Sequence, residues 1–242
     1  MSERARLDDE RDRAIIFDMD DTLYPERRFV LSGFAAVAHA LRTTRGIDAR
    51  ESFRVLSGAM RAGRRRTALQ TLCSRFGLPL DLVGELVGII RQHRPRLRLG
   101  TSTRRVLAEL RPRWRLGILT NGMPAVQARK VEALGLGPLV DEVVYASEHG
   151  TGSGKPERAP FLAMASRLRV VPERCVFVGD DPERDIAGAA GAGMRSVRID
   201  GARSTIGCVH PVMPDSTIRH LSELPEMATT LLERKAHACL SR

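Results

Sequence analysis

Residues 15–25 read IIFDMDDTLYP, an apolar run that ends in three carboxylates, Asp18, Asp20 and Asp21, within four positions. Like charges at this density repel one another and are costly to desolvate, so such a cluster persists where a cation or a reaction needs it. The run that delivers them has the length and composition of a buried strand. Similar runs recur at 115–120 (RLGILT), 142–147 (EVVYAS), 175–180 (CVFVGD) and 195–200 (RSVRID), each short and rich in β-branched residues.

Helical patterns separate the later runs. STRRVLAEL, 102–110, begins at a Ser or Thr cap and repeats Val106, Leu107 and Leu110. PAVQARKVEALG, 124–135, stops at Gly135, and PERDIAGAAGAG, 182–193, stops at Gly191 or Gly193. Strand alternating with helix predicts an α/β fold, a Rossmann-like doubly wound parallel sheet whose ligands bind at the carboxyl ends of the strands. Asp18, Thr120 and Asp180 all fall at such ends.

Residues 25–98 break the alternation. Val30, Phe34, Val37 and Leu41 stand at helical spacing, and helical patterns follow around 54–60, 67–76 and 80–90 with no strand among them. The expected organisation is an α/β core of residues 1–24 and 99–242, with a small all-helical cap domain of residues 25–98 inserted after the first strand as a lid.

The composition excludes several classes. A chain of 242 residues with 43% hydrophobic and 28% charged residues is globular rather than disordered. No apolar stretch approaches a membrane span, and the start, MSERARLDDERDR, lacks the apolar core of a secretory signal. Cys73, Cys175, Cys208 and Cys239 are scattered without metal-ligand spacing and read as reduced thiols of a cytoplasmic protein. The net charge of +10 would suit nucleic acid, but nearly every basic residue is Arg, as a coding bias produces, and the reading does not favour that partner. The imbalance is local: residues 26–98 hold 15 Arg against 5 acidic residues, densest at Arg64, Arg65 and Arg66. A positive field toward a multiply anionic substrate is the expected consequence, with nucleic acid or another acidic partner as the rival reading.

Four motifs carry chemistry. They are DMDDT with Asp18 and Asp20, ILTNG with Thr120 and Asn121, SGKPE with Lys155, and VFVGDDPERD with Asp180 and Asp185. Asp21 and Asp181 read as turn or cap residues. GTGSGK, 150–155, suggests a phosphate-cradling P-loop, but His149 stands at its first glycine and Pro156 at its Ser or Thr, so that reading fails.

In this order the motifs resemble the haloacid dehalogenase superfamily, in its phosphatase branch with a helical cap between the first two motifs. The resemblance runs from about Arg13 to Ile199 and extends to Gln127 and Lys130 after TNG. It implies Asp18 as nucleophile, forming an aspartyl phosphate, and Asp20 as general acid and base. It implies Mg²⁺ held by Asp18, the backbone carbonyl of Asp20 and Asp180, with Asp185 in support. Thr120, the backbone around Asn121, and Lys155 would bind the phosphoryl oxygens. The expected enzyme is a phosphatase of a small phosphorylated metabolite. Asp20 argues against the dehalogenases, which do not need an acid two residues after the nucleophile. A phosphotransferase or phosphomutase of the same fold, or a basic binding module on an inactive enzyme fold, are the alternatives.

Overall fold

The computed structural model describes residues 11–200 and 212–239. The chain divides into two compact units, Met1–Pro25 with Arg98–Arg242, and Glu26–Leu97.

The first unit is built on a six-stranded sheet, β1 Ala14–Phe17, β2 Arg115–Thr120, β3 Glu142–Tyr145, β4 Cys175–Gly179, β5 Arg195–Ile199 and β6 Ser216–Ile218, in the order β3-β2-β1-β4-β5-β6. Every pairing is parallel. All four residues of β1 are buried, as a strand covered on both faces requires. The chain builds outward from β1 to β2 and β3, then returns to start β4 on its other side. Such a reversal opens a crevice at the carboxyl ends of the two strands that flank it. Register makes those ends coincide: Phe17 pairs with Ile118 of β2 and with Val178 of β4, and the Asp18 amide continues the ladder by donating to the Val178 carbonyl at 2.8 Å.

The remaining fold departs from the expected pattern in three places. The helix expected from 102 begins at Thr101 behind Gly100, which has no side-chain cap; the Thr103 hydroxyl is buried and donates instead to the Leu23 carbonyl at 3.3 Å. The helix expected over 182–193 opens as a π-helical turn, Pro182–Ala187, and only Gly188–Gly191 is α-helical. The sixth strand, three residues long, is too short to show a period in the sequence.

The second unit contains four α-helices, α1 Arg27–Arg45, α2 Ala49–Arg61, α3 Ala68–Arg75 and α4 Leu82–Gln92. Val30, Phe34, Val37 and Leu41 of α1 pack with Leu56, Leu72 and Leu86 of the other three, so one apolar stripe per helix meets in a common core. Asp48 caps α2 by accepting from the Glu51 amide at 2.8 Å, and Gly46 ends α1 in the left-handed region at φ 68°. Ser32 ties the returning segment to α1, its hydroxyl accepting from the Arg96 amide at 2.9 Å and lying 3.1 Å from His93 Nε2. Of the arginine triplet, Arg65 pairs with both oxygens of Glu26 at 2.5 and 2.7 Å, and Arg64 and Arg66 are exposed.

The core unit continues with α5 Thr101–Leu110, α6 Pro124–Leu134, α7 Arg158–Arg167, α8 Gly188–Gly191 and α9 Leu224–Cys239. Cys73 and Cys175 are buried free thiols; Cys208, the Cys239 side chain and the charged start, 1–10, lie outside the described residues. Among the described residues no helix is long and apolar enough to cross a membrane.

Candidate active site

Asp18 follows β1 directly and is buried, with its carboxylate aimed at Lys155. Lys155 Nζ donates to Asp18 Oδ1 at 2.6 Å and to Asp185 Oδ1 at 2.7 Å, and lies 5.4 Å from the centre of the Phe177 ring. Burial alone opposes the charged form of Lys155, but Asp18 and Asp185 outweigh it and raise its pKa above the ordinary lysine range. On the other side of the pair, burial pushes the Asp18 carboxyl up to about 8, against the pull of Lys155 and with the repulsion of Asp185 and Asp20 added. Asp180, one residue past β4, is pushed up to about 6 by burial and then by Asp185, Asp21 and Asp181.

Three separate backbone features bring these groups together. Gly179 ends β4 because a Cβ there would lie 2.3 Å from Asp185 Oδ2, so glycine is what lets the Asp185 side chain close on the strand. Asp181 caps the π-helical turn, accepting from the Glu183 and Arg184 amides at 3.0 and 2.9 Å, and its own amide donates to Asp185 Oδ2 at 3.1 Å. Asp21 sits at φ 59°, a left-handed position that Asp tolerates, and its amide donates to the Tyr24 carbonyl. Both residues thus serve the turn and cap roles the sequence suggests. One ligand oxygen from each of Asp18, Asp180 and Asp185 lies within 4.8 Å of the others, a set of hard donors of the kind that holds an oxygen-seeking divalent cation.

Lys155 lies in the loop before α7 and is held by that loop's contacts. Asn121, just after β2, donates through Nδ2 to the Lys155 carbonyl at 3.0 Å and accepts through Oδ1 from the Lys155 amide at 2.8 Å. The Asn121 side chain is therefore engaged with the loop, and its backbone is the part left to face a ligand. The fit needs Gly154, which adopts φ 79° and whose Cβ would stand 2.6 Å from Asn121 Oδ1. Glu157 closes the same loop, accepting from the Thr151 amide at 2.9 Å and from the Thr151 hydroxyl.

Asp20 stands apart from the three clustered carboxylates. Tyr24 OH donates to its Oδ1 at 2.5 Å, Lys130 Nζ to both oxygens at 2.9 and 2.8 Å, and Gln127 Nε2 to Oδ2 at 2.9 Å. Gln127 Nε2 also donates to the buried Thr120 hydroxyl at 2.6 Å. Gln127 and Lys130 occupy, with Leu134, the buried face of α6. A polar residue at a core position needs a partner. That requirement is a signal the sequence carried, but it did not name Asp20 as the partner.

Residues 13–193 match the family described as haloacid dehalogenase-like hydrolase, and the chain belongs to it. Within that family it sides with the phosphatases. The chain is 30% identical over 203 residues to the glyceraldehyde 3-phosphate phosphatase of Methanocaldococcus jannaschii, covering 77% of this chain and 84% of that one. It is 34% identical over 138 residues to the phosphoserine phosphatase of Thermus thermophilus, 57% of this chain and 54% of that one. A solved phosphatase of the family from Thermococcus onnurineus superposes with a TM-score of 0.56 at 28% identity, over 89% of this chain and 97% of that one.

Proposed function

We propose that this phosphatase is a Mg²⁺-dependent hydrolase of a small phosphorylated metabolite and works through an aspartyl phosphate on Asp18. The observation that carries the reading is the division of its carboxylates. Asp18 and Asp185 share the Lys155 ammonium and cluster with Asp180, whereas Asp20 is held separately by Tyr24, Gln127 and Lys130. Two displacements at one phosphorus need two such carboxyl groups, one to attack and one to move protons.

An Asp18 oxygen attacks phosphorus, and the bond from phosphorus to the ester oxygen breaks. Asp20 gives its proton to that departing oxygen. It then takes a proton from the water that attacks the aspartyl phosphate, and the bond from phosphorus to Asp18 breaks to release phosphate. Thr120 and the backbone at Asn121 would donate to the phosphoryl oxygens, with the Lys155 ammonium beside them as a fixed positive charge. Asp185 keeps that ammonium in place, as its 2.7 Å contact with Nζ supports.

The donor set fits Mg²⁺. Asp18 and Asp180, with the backbone carbonyl of Asp20, would hold the ion, and the high pKa values that burial imposes on both side chains are a penalty a divalent cation would offset. Bound there, it would neutralise charge between nucleophile and phosphate.

The activities for which the relatives are named, on glyceraldehyde 3-phosphate and phosphoserine, support a small phosphomonoester as substrate. The test is a screen of phosphorylated metabolites with Mg²⁺, beginning with those two, alongside Asp18→Asn. Turnover of one or more is expected, with a loss of several orders of magnitude in the variant. Retention of more than about a tenth of the activity would overturn the covalent mechanism.

A further inference from the structure

Four hydrogen bonds converge on Asp20 from Tyr24, Gln127 and Lys130, more than a surface carboxylate needs, and two of the three partners come from one helix. Gln127 and Lys130 are three residues apart on α6, so their side chains leave the same face on adjacent turns. Both are buried, at 2% and 4% exposure, where an amide and an ammonium are costly unless they are paired. Gln127 uses one nitrogen twice, toward Asp20 Oδ2 at 2.9 Å and toward the Thr120 hydroxyl at 2.6 Å. That hydroxyl accepts from Gln127, and its own hydrogen is directed at the Asn121 carbonyl across a long 3.5 Å.

We infer that Gln127 and Lys130 are positioning residues: Lys130 fixes the plane of the Asp20 carboxyl group, and Gln127 locks that group to the Thr120 hydroxyl through a single amide. The inference rests on the roles proposed above, Asp20 as the acid and Thr120 as a phosphoryl ligand. Its content is that the proton donor and the phosphate contact keep a constant separation, set by α6 instead of by the loop after β1. Chain geometry alone does not ensure this, since Asp20 lies in the loop after β1 and Thr120 at the end of β2, with the helices of the second unit and α5 between them in sequence. A misplacement near 1 Å is enough to cost about a hundredfold in rate.

The two residues differ in what else they touch, which separates their effects. Lys130→Met removes the ammonium that donates to both oxygens of Asp20. Gln127→Met keeps the length of the side chain but removes the amide that ties Asp20 to Thr120.

The experiment measures kcat and KM for an alkyl phosphate and for 4-nitrophenyl phosphate with wild type, Asp20→Asn, Lys130→Met and Gln127→Met, together with the melting temperature of each. A good leaving group needs little protonation, so Asp20→Asn is expected to lose about a hundredfold or more on the alkyl ester and far less on the nitrophenyl ester. Both other variants are expected to show the same asymmetry at about tenfold, and Gln127→Met alone is expected to raise KM for both esters severalfold. Equal losses on the two esters in Gln127→Met and Lys130→Met, beside an unequal loss in Asp20→Asn, would overturn the positioning role and leave the acid assignment standing. Equal losses in Asp20→Asn as well would overturn the acid, and the positioning role with it. If Lys130→Met does not fold, Gln127→Met, which removes no charge, decides between these outcomes.

Discussion

Replacing Lys155 by Met tests the buried charge cluster while leaving its carboxylates in the chain. The wild-type ammonium is 2% exposed and bridges Asp18 and Asp185, whose side chains are 10% and 2% exposed. Removing one member of a buried ion pair leaves the others uncompensated and costs about 3 to 5 kcal/mol. For a unit of this size each kcal/mol lowers the melting temperature by about 2 to 4 °C, so a fall of about 6 to 20 °C is expected in the presence of a chelator. Trp114, the single tryptophan, is fully buried in the core unit, so its emission follows the unfolding of that unit. The pH dependence carries a second signature. Lys155 has a raised folded pKa, so its contribution is complete below the ordinary lysine value and is lost only at more alkaline pH. Asp18 also has a raised folded pKa, so the folded state is favoured while Asp18 is protonated and loses ground as pH rises toward about 8. Without the ammonium this loss deepens. The deficit of the variant is therefore expected to be large at pH 8 and smaller at pH 5, with excess Mg²⁺ restoring part of it. A variant as stable as wild type at pH 8, or a deficit that grows toward acid, would refute the charge arrangement described here.

Chelation is expected to abolish phosphatase activity and Mg²⁺ to restore it; Ca²⁺, with a larger and looser oxygen shell, is not. Asp180→Ala should raise the Mg²⁺ concentration for half-maximal rate at least tenfold, and an unchanged titration would remove Asp180 from the metal set. Gly154→Ala places a Cβ 2.6 Å from Asn121 Oδ1 at φ 79°, so a loss of about 1 kcal/mol or more in stability and a rise in KM are expected, read by thermal unfolding and steady-state kinetics. Cys175 is fully buried, and burial pushes its thiol up to about 12, so peptide mapping after iodoacetamide treatment should find it unlabelled until the protein is denatured.

The order of elements and the position of the chemistry were legible in the sequence because both obey short-range rules. An apolar run of four or five residues that ends in Asp or Thr states a buried strand and its carboxyl end together, and β1, β2 and β4 all do so. The spacing of Val30, Phe34, Val37 and Leu41 likewise states one face of α1, since a helix repeats every 3.6 residues. β6 escaped because three residues have no period, and the true start of α5 escaped because the Thr103 hydroxyl found a tertiary partner in the Leu23 carbonyl. What tertiary structure alone decided is which charges meet. Lys155 lies 137 residues from Asp18 and 30 from Asp185, and Lys130 lies 110 from Asp20, distances in sequence over which no local pattern operates. The sheet register brings Asp18, Thr120 and Asp180 to one edge, and burial then makes each unpaired charge too costly to leave alone. Local periodicity could therefore place Asp18 and Asp180 at strand ends, but only the packed chain could assign Lys155 to Asp18 and Asp185, and Lys130 with Gln127 to Asp20.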